Sequence, residues 1–179
     1  MKNYHQAIKY NIMAFRYYSR LKNKELTADI YNNIGSLLLT VGKLKWAKHF
    51  LNLSLMHASN NRPEWKKVFT ENELAKYYYL TGDYNNSREH AEIALNYLDS
   101  TSYKKEKTRS MELIGDAYFG QKKYNQAIEQ YKKAINTFSN DQTNKIWQQL
   151  MGKIALTYNR LGDNEKAKQF YLEALDLYI

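Results

Sequence analysis

The sequence contains no cysteine, a single proline and only seven glycines in 179 residues. The absence of cysteine excludes disulfide bonds, thiolate chemistry and cysteine-ligated zinc, so packing alone must hold the fold together. Because proline and glycine both interrupt helices, their scarcity is typical of long helices joined by short loops. No uninterrupted apolar run approaches the about 20 residues that cross a bilayer. We therefore expect an all-α protein with no membrane-spanning segment.

The amino-terminal stretch MKNYHQAIKYN also lacks the apolar core and the small-residue cleavage site of a secretory signal. This lack, together with the lack of cysteine, predicts a cytoplasmic protein. The chain is basic, with a net charge of +9 from 27 Lys and Arg against 18 Asp and Glu. The basic residues are dispersed rather than clustered with aromatic residues, so direct nucleic-acid binding ranks below protein or peptide binding.

An internal 40-residue repeat organises the sequence. Residues 2–10 read KNYHQAIKY, and residues 122–131 read KKYNQAIEQY. A repeat of this length predicts a solenoid, in which each unit covers the apolar faces of its neighbours. Three series of residues share the period: Ala7, Ala47, Ser87, Ala127 and Ala167; Gly35, Ala75, Gly115 and Ala155; and Gly42, Gly82, Lys122 and Gly162.

Each unit is predicted to be a hairpin of two helices, A and B. The small-residue series that includes Gly35 lies in helix A and allows helix B to approach closely. The series that includes Gly42 turns the chain into helix B. Helix B carries an apolar stripe, which in the third unit is Ala127, Ile128, Tyr131, Ala134 and Ile135. We expect one solenoid over residues 1–179, with helix B of a partial unit at 2–20 and units at about 24–60, 63–99, 103–139 and 143–179.

The segments between units are predicted to be loops at 59–62, 99–102 and 139–142, with Pro63 in the first turn of the next helix. Trp65, Tyr103 and Trp147 would lie on extended starts of helix A and pack between hairpins rather than contact a ligand. Neither terminal unit shows the polar capping helix that solenoids need for solubility. The chain is therefore expected either to be a fragment of a longer protein or to cover its end helices by self-association.

The repeated residues resemble those of the tetratricopeptide repeat family. The second unit departs most, with Glu71 in the first large position and Ser87 in place of the helix B alanine. The family's usual period is about 34 residues, and the extra residues here lie between one helix B and the next helix A. The resemblance implies an α-solenoid wound into a right-handed superhelix, which binds peptides on the concave face that helices A line. The third unit matches best, with the family pattern on Met111, Ile114, Gly115, Tyr118, Tyr124, Ala127, Tyr131 and Ala134.

The resemblance also identifies inward-facing places on each helix A, which are two, five, nine, twelve and thirteen when the small residue is place eight. The candidate peptide-binding residues at these places are Asn32, Ser36, Asn72, Lys76, Tyr79, Arg109, Glu112, Asp116, Phe119 and Asn159. The remaining inward-facing residues are Asp29, Leu39, Thr40, Phe69, Leu80, Gly120, Gln149, Gly152, Leu156 and Arg160.

The candidate residues suit an extended peptide. The amides of Asn32 and Asn72 can donate to and accept from a peptide backbone at once, although both could instead be solvated on a polar face. Tyr79 and Phe119 would seat apolar side chains of the ligand. Arg109 and Lys76 would meet a carboxylate.

No arrangement for catalysis or metal binding is recognisable. The four histidines form no pair at i, i+4 and no HExxH motif. The GDY and GDN sequences at Gly82 and Gly162 fall on the turn series, so they are helix-to-helix turns rather than nucleotide motifs. We therefore expect a binding protein with no enzyme activity, no cofactor and no metal.

The 40-residue units, the composition rich in Lys, Asn and Tyr, and the inward asparagines resemble in particular the Rap/PlcR-type intracellular peptide receptors of Gram-positive bacteria. In that group the repeat domain binds a short re-imported peptide, and its change of shape acts on an N-terminal DNA-binding or response-regulator-binding segment. The resemblance implies a regulator that senses a peptide, with roles in quorum sensing and transcriptional regulation. The alternative is a structural scaffold that joins proteins through its exposed end helices.

Overall fold

The computed structural model describes residues 4–20, 24–58, 66–98, 103–137 and 145–175, and it shows nine helices and no strand within them. The predicted loops at 59–62, 99–102 and 139–142 lie outside the described residues, as do Pro63 and Trp65. The helices are α1 (Tyr4–Arg20), α2 (Lys24–Thr40), α3 (Leu44–His57), α4 (Lys67–Leu80), α5 (Tyr84–Asn96), α6 (Lys104–Gly120), α7 (Tyr124–Asn136), α8 (Lys145–Leu161) and α9 (Asn164–Leu175).

The helices from α2 onward form four hairpins in chain order. The pairs α2 and α3, α4 and α5, α6 and α7, and α8 and α9 pack most extensively, and only two or three residues join each pair. Helix α1 packs on α2, and α4 packs on both α2 and α6, so the first helices of the hairpins lie side by side in one layer. This arrangement confirms the predicted all-α solenoid.

The turns inside the hairpins repeat one backbone geometry. Gly42, Gly82 and Gly162 have φ angles of 75°, 80° and 85°, and Lys122 takes the same left-handed conformation at 62°. The residue after each of them donates its N–H to a carbonyl five residues earlier, as from Lys123 to Tyr118 at 2.9 Å. This is the Schellman pattern of a helix C-terminus, which satisfies carbonyls that the helix leaves unpaired. The turn series predicted from the sequence is confirmed, including its one lysine.

The small residues of the first helices are buried where their hairpin partners approach. A Cβ atom added at Gly35 would lie 2.7 Å from Leu51, and one added at Gly115 would lie 2.5 Å from Tyr131. Ala75 instead shares a buried cluster with another alanine, Ala91. In the first and third hairpins a glycine therefore stands opposite a large side chain, and in the second an alanine stands opposite an alanine, because the space between two close helices is limited.

The predicted interhelical aromatics pack between hairpins. Trp147 packs against a core cluster that joins α7 to α8, and Tyr103 packs against the cluster of Val68, Ala94 and Leu98. Glu71, the residue that departs from the family pattern, is buried, and its Oε2 lies 2.6 Å from Nδ1 of His90. The unusual acid is thus accommodated by a partner on the opposite helix of its hairpin.

Candidate functional site

A pocket of about 350 Å³ opens on the layer formed by the first helices of the hairpins. It draws side chains from all four hairpins, because each first helix contributes at least one residue. Phe69 and Ile146 supply apolar surface, and every other lining residue is charged or carries an amide. The lining residues are Asn32 from α2; Phe69, Asn72 and Glu73 from α4; Lys105, Glu106, Arg109 and Glu112 from α6; and Ile146 and Gln149 from α8.

Two periodicities bring these residues together. Within one helix, residues three or four apart share a face, which places Lys105, Arg109 and Glu112 on one side of α6. Between helices, the 40-residue repeat places Asn32, Asn72 and Glu112 at the same level of α2, α4 and α6. The pocket is therefore formed by residues that share one face of each first helix and lie at similar levels of the repeat.

Two acceptor atoms in the pocket have no hydrogen-bond partner within the described part of the chain. They are Oδ1 of Asn32 and Oε2 of Glu73, and both are buried. A buried polar atom left unsatisfied costs about 1–3 kcal/mol. Such a cost favours binding of a molecule that presents hydrogen-bond donors to this part of the pocket.

Asn72 differs from Asn32 although the two are equivalent in the repeat. Its Oδ1 accepts a hydrogen bond from Oγ of Ser110 at 3.0 Å, and the side chain is buried. The carbonyl group of Asn72 therefore links α4 to α6. The Asn72 oxygen therefore already accepts one hydrogen bond within the protein, and the prediction that both amides bind a peptide stays a prediction.

Arg109 and Glu112 belong to an ionic network that runs along the border of α6 and α8. Glu112 pairs with Arg109 at 2.9 Å and with Lys153 at 2.7 Å, and Lys153 also pairs with Asp116 at 2.6 Å. Asp116 accepts a further hydrogen bond from the Tyr131 hydroxyl at 2.7 Å. Arg109, which was expected to meet a ligand carboxylate, therefore already has a carboxylate partner in the protein.

Burial and charge act in opposite directions on this network. Burial would raise the pKa of Glu112, but attraction to Lys153 and Arg109 outweighs it and lowers that pKa below its ordinary value. At Asp116 burial prevails over Lys153, and its pKa is raised. Burial would lower the pKa of Lys153, but Asp116 and Glu112 raise it. Protonation in acid therefore destabilises the folded chain at Glu112 and stabilises it at Asp116.

The other candidate residues lie outside the pocket lining. Tyr79 and Phe119 pack on the first residues of α5 and α7, with ring centroids 5.7 Å from Tyr84 and 5.6 Å from Tyr124. Nδ2 of Asn159 donates to Oδ1 of Asn164 at 3.4 Å, which is the same relationship in the last hairpin. The side chain at place twelve of these first helices thus contacts the start of the second helix in the same hairpin. Ser36, Lys76 and Asp116 are also outside the lining.

Two further inward assignments are wrong in the structure. Leu39 is buried in a cluster with Ala47 and Leu51, so its side chain belongs to the core. Gly120 lies against the ring of Tyr84, which an added Cβ would strike. Leu39 faces the second helix of its own hairpin, α3, whereas Gly120 faces α5 of the preceding hairpin.

Sequence reasoning missed Glu73 and Lys153, which occupy place six, and Lys105, Glu106 and Ile146, which lie near the start of the long helices. The signal for the second group was the period itself. The 40-residue period leaves room for longer first helices, and α6 and α8 have 17 residues each. Nothing in the sequence pattern indicated that Glu73 and Lys153, at place six, would lie at the site.

No described helix is both long and apolar enough to span a membrane. Within the same residues, no three acidic or histidine side chains converge as a metal site would require.

Family models described as tetratricopeptide repeat match residues 68–140 and residues 148–178, together more than half of the chain. A search of curated proteins found no match. Three solved structures illustrate the similarity of fold. BtubC from P. vanneervenii has a TM-score of 0.83 at 18% identity, with 99% of this chain and 74% of that chain covered.

The apo form of RapI has a TM-score of 0.74 at 19% identity, and the match covers 84% of this chain and 56% of that chain. This chain therefore matches little more than half the length of RapI. MamA from Desulfovibrio magneticus RS-1 has a TM-score of 0.70 at 15% identity, with 99% and 86% covered. The repeated hairpins, the buried small residues and both matching segments lead to one assignment: this chain belongs to the tetratricopeptide repeat family.

Proposed function

We propose that this chain is the ligand-sensing part of a cytoplasmic regulator, and that it binds a short signalling peptide along the layer formed by α2, α4, α6 and α8. Membership of the tetratricopeptide repeat family supports binding of a protein or peptide. The finer proposal depends on the chemistry of the pocket.

The observation that carries the proposal is a pair of buried acceptors, Oδ1 of Asn32 and Oε2 of Glu73, that have no partner among the residues the structure describes. An extended peptide offers an N–H donor at nearly every residue, so it can satisfy such acceptors without a special side chain. Phe69 and Ile146 give the same pocket apolar surface for a ligand side chain. A volume of about 350 Å³ accommodates a few residues of a peptide rather than a folded domain.

A regulatory role is supported by the resemblance to Rap/PlcR-type receptors. The structural match to RapI shows likeness of fold, and this chain covers 56% of that protein. We propose that the peptide shifts the packing between hairpins, and that this change is transmitted to a DNA-binding or response-regulator-binding partner segment. Quorum sensing and transcriptional regulation are the proposed outputs. No chemical step is assigned to the chain.

Calorimetry against a library of short peptides tests the binding proposal. Asn32→Ala should weaken the best peptide about fivefold, which corresponds to one hydrogen bond of about 1 kcal/mol. Asn33→Ala is the matched control, because Asn33 is the exposed neighbour that does not line the pocket, and it should leave affinity unchanged. Unchanged affinity in the Asn32→Ala/Asn72→Ala double variant would contradict the proposal that this pocket binds the peptide.

The scaffold alternative predicts a different pattern. A scaffold should respond weakly to every short peptide but retain a protein partner in a pull-down, whether or not Asn32 is altered. Direct nucleic-acid binding would be distinguished by a steep decrease of affinity with salt.

A further inference from the structure

A lysine of α8 fills the junction between the first helices of the third and fourth hairpins. Nζ of Lys153, at place six of α8, lies 2.7 Å from Oε1 of Glu112 and 2.6 Å from Oδ1 of Asp116 on α6. An ammonium group is thus held between two acceptor side chains of the preceding first helix. These charge-assisted hydrogen bonds satisfy both carboxylates at once.

The junction between α2 and α4 has acceptors on both sides. By the 40-residue repeat, Glu73 on α4 is equivalent to Lys153, and Asn32 on α2 is equivalent to Glu112. Both Glu73 and Asn32 line the pocket. Oε2 of Glu73 and Oδ1 of Asn32 are buried, and neither has a hydrogen-bond partner among the described residues. A carboxylate therefore occupies the place from which a lysine supplies donors in the later junction.

The intervening junction, between α4 and α6, supplies its own donor. Oδ1 of Asn72, the residue equivalent to Asn32, accepts a hydrogen bond from Oγ of Ser110 at 3.0 Å. Place six of α6 is Leu113, which is buried and carries no charge. Neither feature of this junction requires a group from outside the chain.

The corresponding hydroxyl is already used in the junction between α2 and α4. Thr70 is equivalent to Ser110, but its Oγ1 lies 3.0 Å from Oγ of Ser54 on α3. Ser54 donates its own proton to the carbonyl oxygen of Ala28 at 2.8 Å. The hydrogen bond between the two hydroxyls therefore takes the proton of Thr70, since each hydroxyl has only one. Asn32 thus receives no donor from place three of α4.

This junction opens on the pocket beside an aromatic residue. Glu73 is only partly buried, and its two oxygens exchange by rotation about the last side-chain torsion, so a ligand in the pocket can reach the carboxylate. Phe69 precedes Glu73 by one helical turn, lines the same pocket and is 41% exposed. Both a carboxylate and an aromatic ring attract a cation. The basic residues of the lining, Lys105 and Arg109, lie on α6, and Arg109 is paired with Glu112.

On the basis of the peptide binding proposed above, we propose that the junction between α2 and α4 binds a primary ammonium group of the peptide. The group lies between Glu73 and Asn32, as Nζ of Lys153 lies between two acceptors of α6. An ammonium group carries three donors, so it satisfies both acceptors at once. It also supplies the positive charge that a backbone N–H lacks, and a partly buried carboxylate without a cation is costly. Its source is either a lysine side chain or the amino terminus of the peptide.

Calorimetry with a tetrapeptide library, prepared with free and with acetylated amino termini, tests the proposal and identifies the source. If the amino terminus binds, acetylation should weaken the tightest peptides at least about tenfold, as expected for loss of a hydrogen-bonded charge. If lysine binds, the tightest acetylated peptides should contain it, and norleucine in its place should weaken them to the same extent. Equal binding of the free, acetylated and norleucine forms overturns the proposal and leaves peptide binding intact. Absence of binding by every peptide overturns both.

Variants locate the ammonium group. Glu73→Gln keeps the size of the side chain and removes its charge, so it should weaken the ammonium-bearing peptide at least about tenfold. The acetylated or norleucine form of that peptide should change by no more than about twofold. Asn32→Asp provides a second carboxylate, as in the pair that holds Lys153, and should strengthen binding of the ammonium-bearing peptide alone.

Glu106→Gln is the matched control for the overall charge of the pocket. Glu106 lines the same pocket but lies in the first turn of α6, outside the junction between α2 and α4. Its loss should weaken the ammonium-bearing peptide by no more than about twofold. Circular dichroism spectra equal to that of the wild type would show that the variants fold. Equal losses in Glu73→Gln and Glu106→Gln, or a loss in Glu73→Gln that is the same for charged and uncharged peptides, overturn the proposal.

Discussion

Gly115 on α6 lies directly against the ring of Tyr131 on α7, so closely that an added Cβ would come within 2.5 Å of Tyr131 Cε1. The contact allows the Tyr131 hydroxyl to reach Asp116, to which it donates a hydrogen bond of 2.7 Å. A glycine that is required for packing therefore also supports the ionic network beside the pocket.

Gly115→Ala should lower the free energy of unfolding by about 1–3 kcal/mol, because the methyl group overpacks a well-filled contact and displaces Tyr131. The control is Gly152→Ala on α8, where an added Cβ meets nothing within 4 Å. That change should raise stability by about 0.5–1 kcal/mol, since alanine is the better helix former. Urea denaturation followed by circular dichroism measures both. Equal effects of the two changes would contradict the packing role of Gly115.

Lys122→Gly should stabilise the protein by about 1 kcal/mol, because a side chain in the left-handed conformation carries a steric cost that glycine avoids. The reverse change at the equivalent turn position, Gly82→Ala, should destabilise by a similar amount, since Gly82 has a φ of 80°. Lys123→Gly is the control, because Lys123 has a φ of −86°. It should not stabilise. Thermal unfolding midpoints at one protein concentration compare the three variants.

Lys153→Met should destabilise by about 2–3 kcal/mol, somewhat less than the loss of a partner from a fully buried pair, because Lys153 is partly exposed. The change leaves Glu112 and Asp116 close together without their shared cation. Lys166→Met is the matched control, since Nζ of Lys166 pairs with Asp163 at the surface at 2.6 Å. A surface pair contributes little, so this variant should unfold close to the wild type. Comparable losses in both variants would refute the importance of the network.

The stability lost in Glu112→Gln should depend on pH. The pKa of Glu112 is lowered in the folded chain, so its stabilising effect is present above its ordinary pKa of 4.5 and disappears as the pH falls through the folded value. The difference between wild type and Glu112→Gln should therefore be largest near pH 7 and shrink below pH about 4.5.

Asp116→Asn is the internal control, because the stability that depends on Asp116 should change with pH in the opposite direction. The pKa of Asp116 is raised by burial, so the charged form is the less favourable one, and the stability associated with its protonation is gained as the pH falls. Urea midpoints measured from pH 3 to pH 7, on wild type and both variants, distinguish the two directions. Parallel pH profiles for the two variants would contradict the assigned shifts.

Much of the fold was predictable because the determining interactions are local. A residue in a left-handed turn, such as Gly42 or Lys122, ends its helix through hydrogen bonds to residues within the preceding turn. An apolar stripe such as that of α7 needs only helical periodicity to appear in the sequence. The 40-residue period then showed which of these signals belonged together.

The candidate site was predictable only in part. The repeat register placed Asn32, Asn72, Arg109 and Glu112 on one face, and all four line the pocket. It could not show that Ser110 occupies the Asn72 carbonyl, or that Lys153 satisfies Glu112 and Asp116, because these partners come from the next hairpin. Place twelve was assigned inward by analogy, but Tyr79 and Phe119 pack on the start of the second helix instead.

The sequence by itself determined the helices, their turns and their order, since these depend on residues a few positions apart and on a period that repeats through the chain. Only the tertiary structure decided which polar groups of the pocket bond to each other and which have no partner among the described residues. Asn32 and Asn72 are both asparagines at the same place of the repeat. The buried Oδ1 of Asn32 has no partner among the described residues, whereas Oδ1 of Asn72 accepts a hydrogen bond from Ser110. The difference arises where separate helices meet, because a hydrogen bond between hairpins depends on side chains that belong to different repeats and are far apart in the sequence.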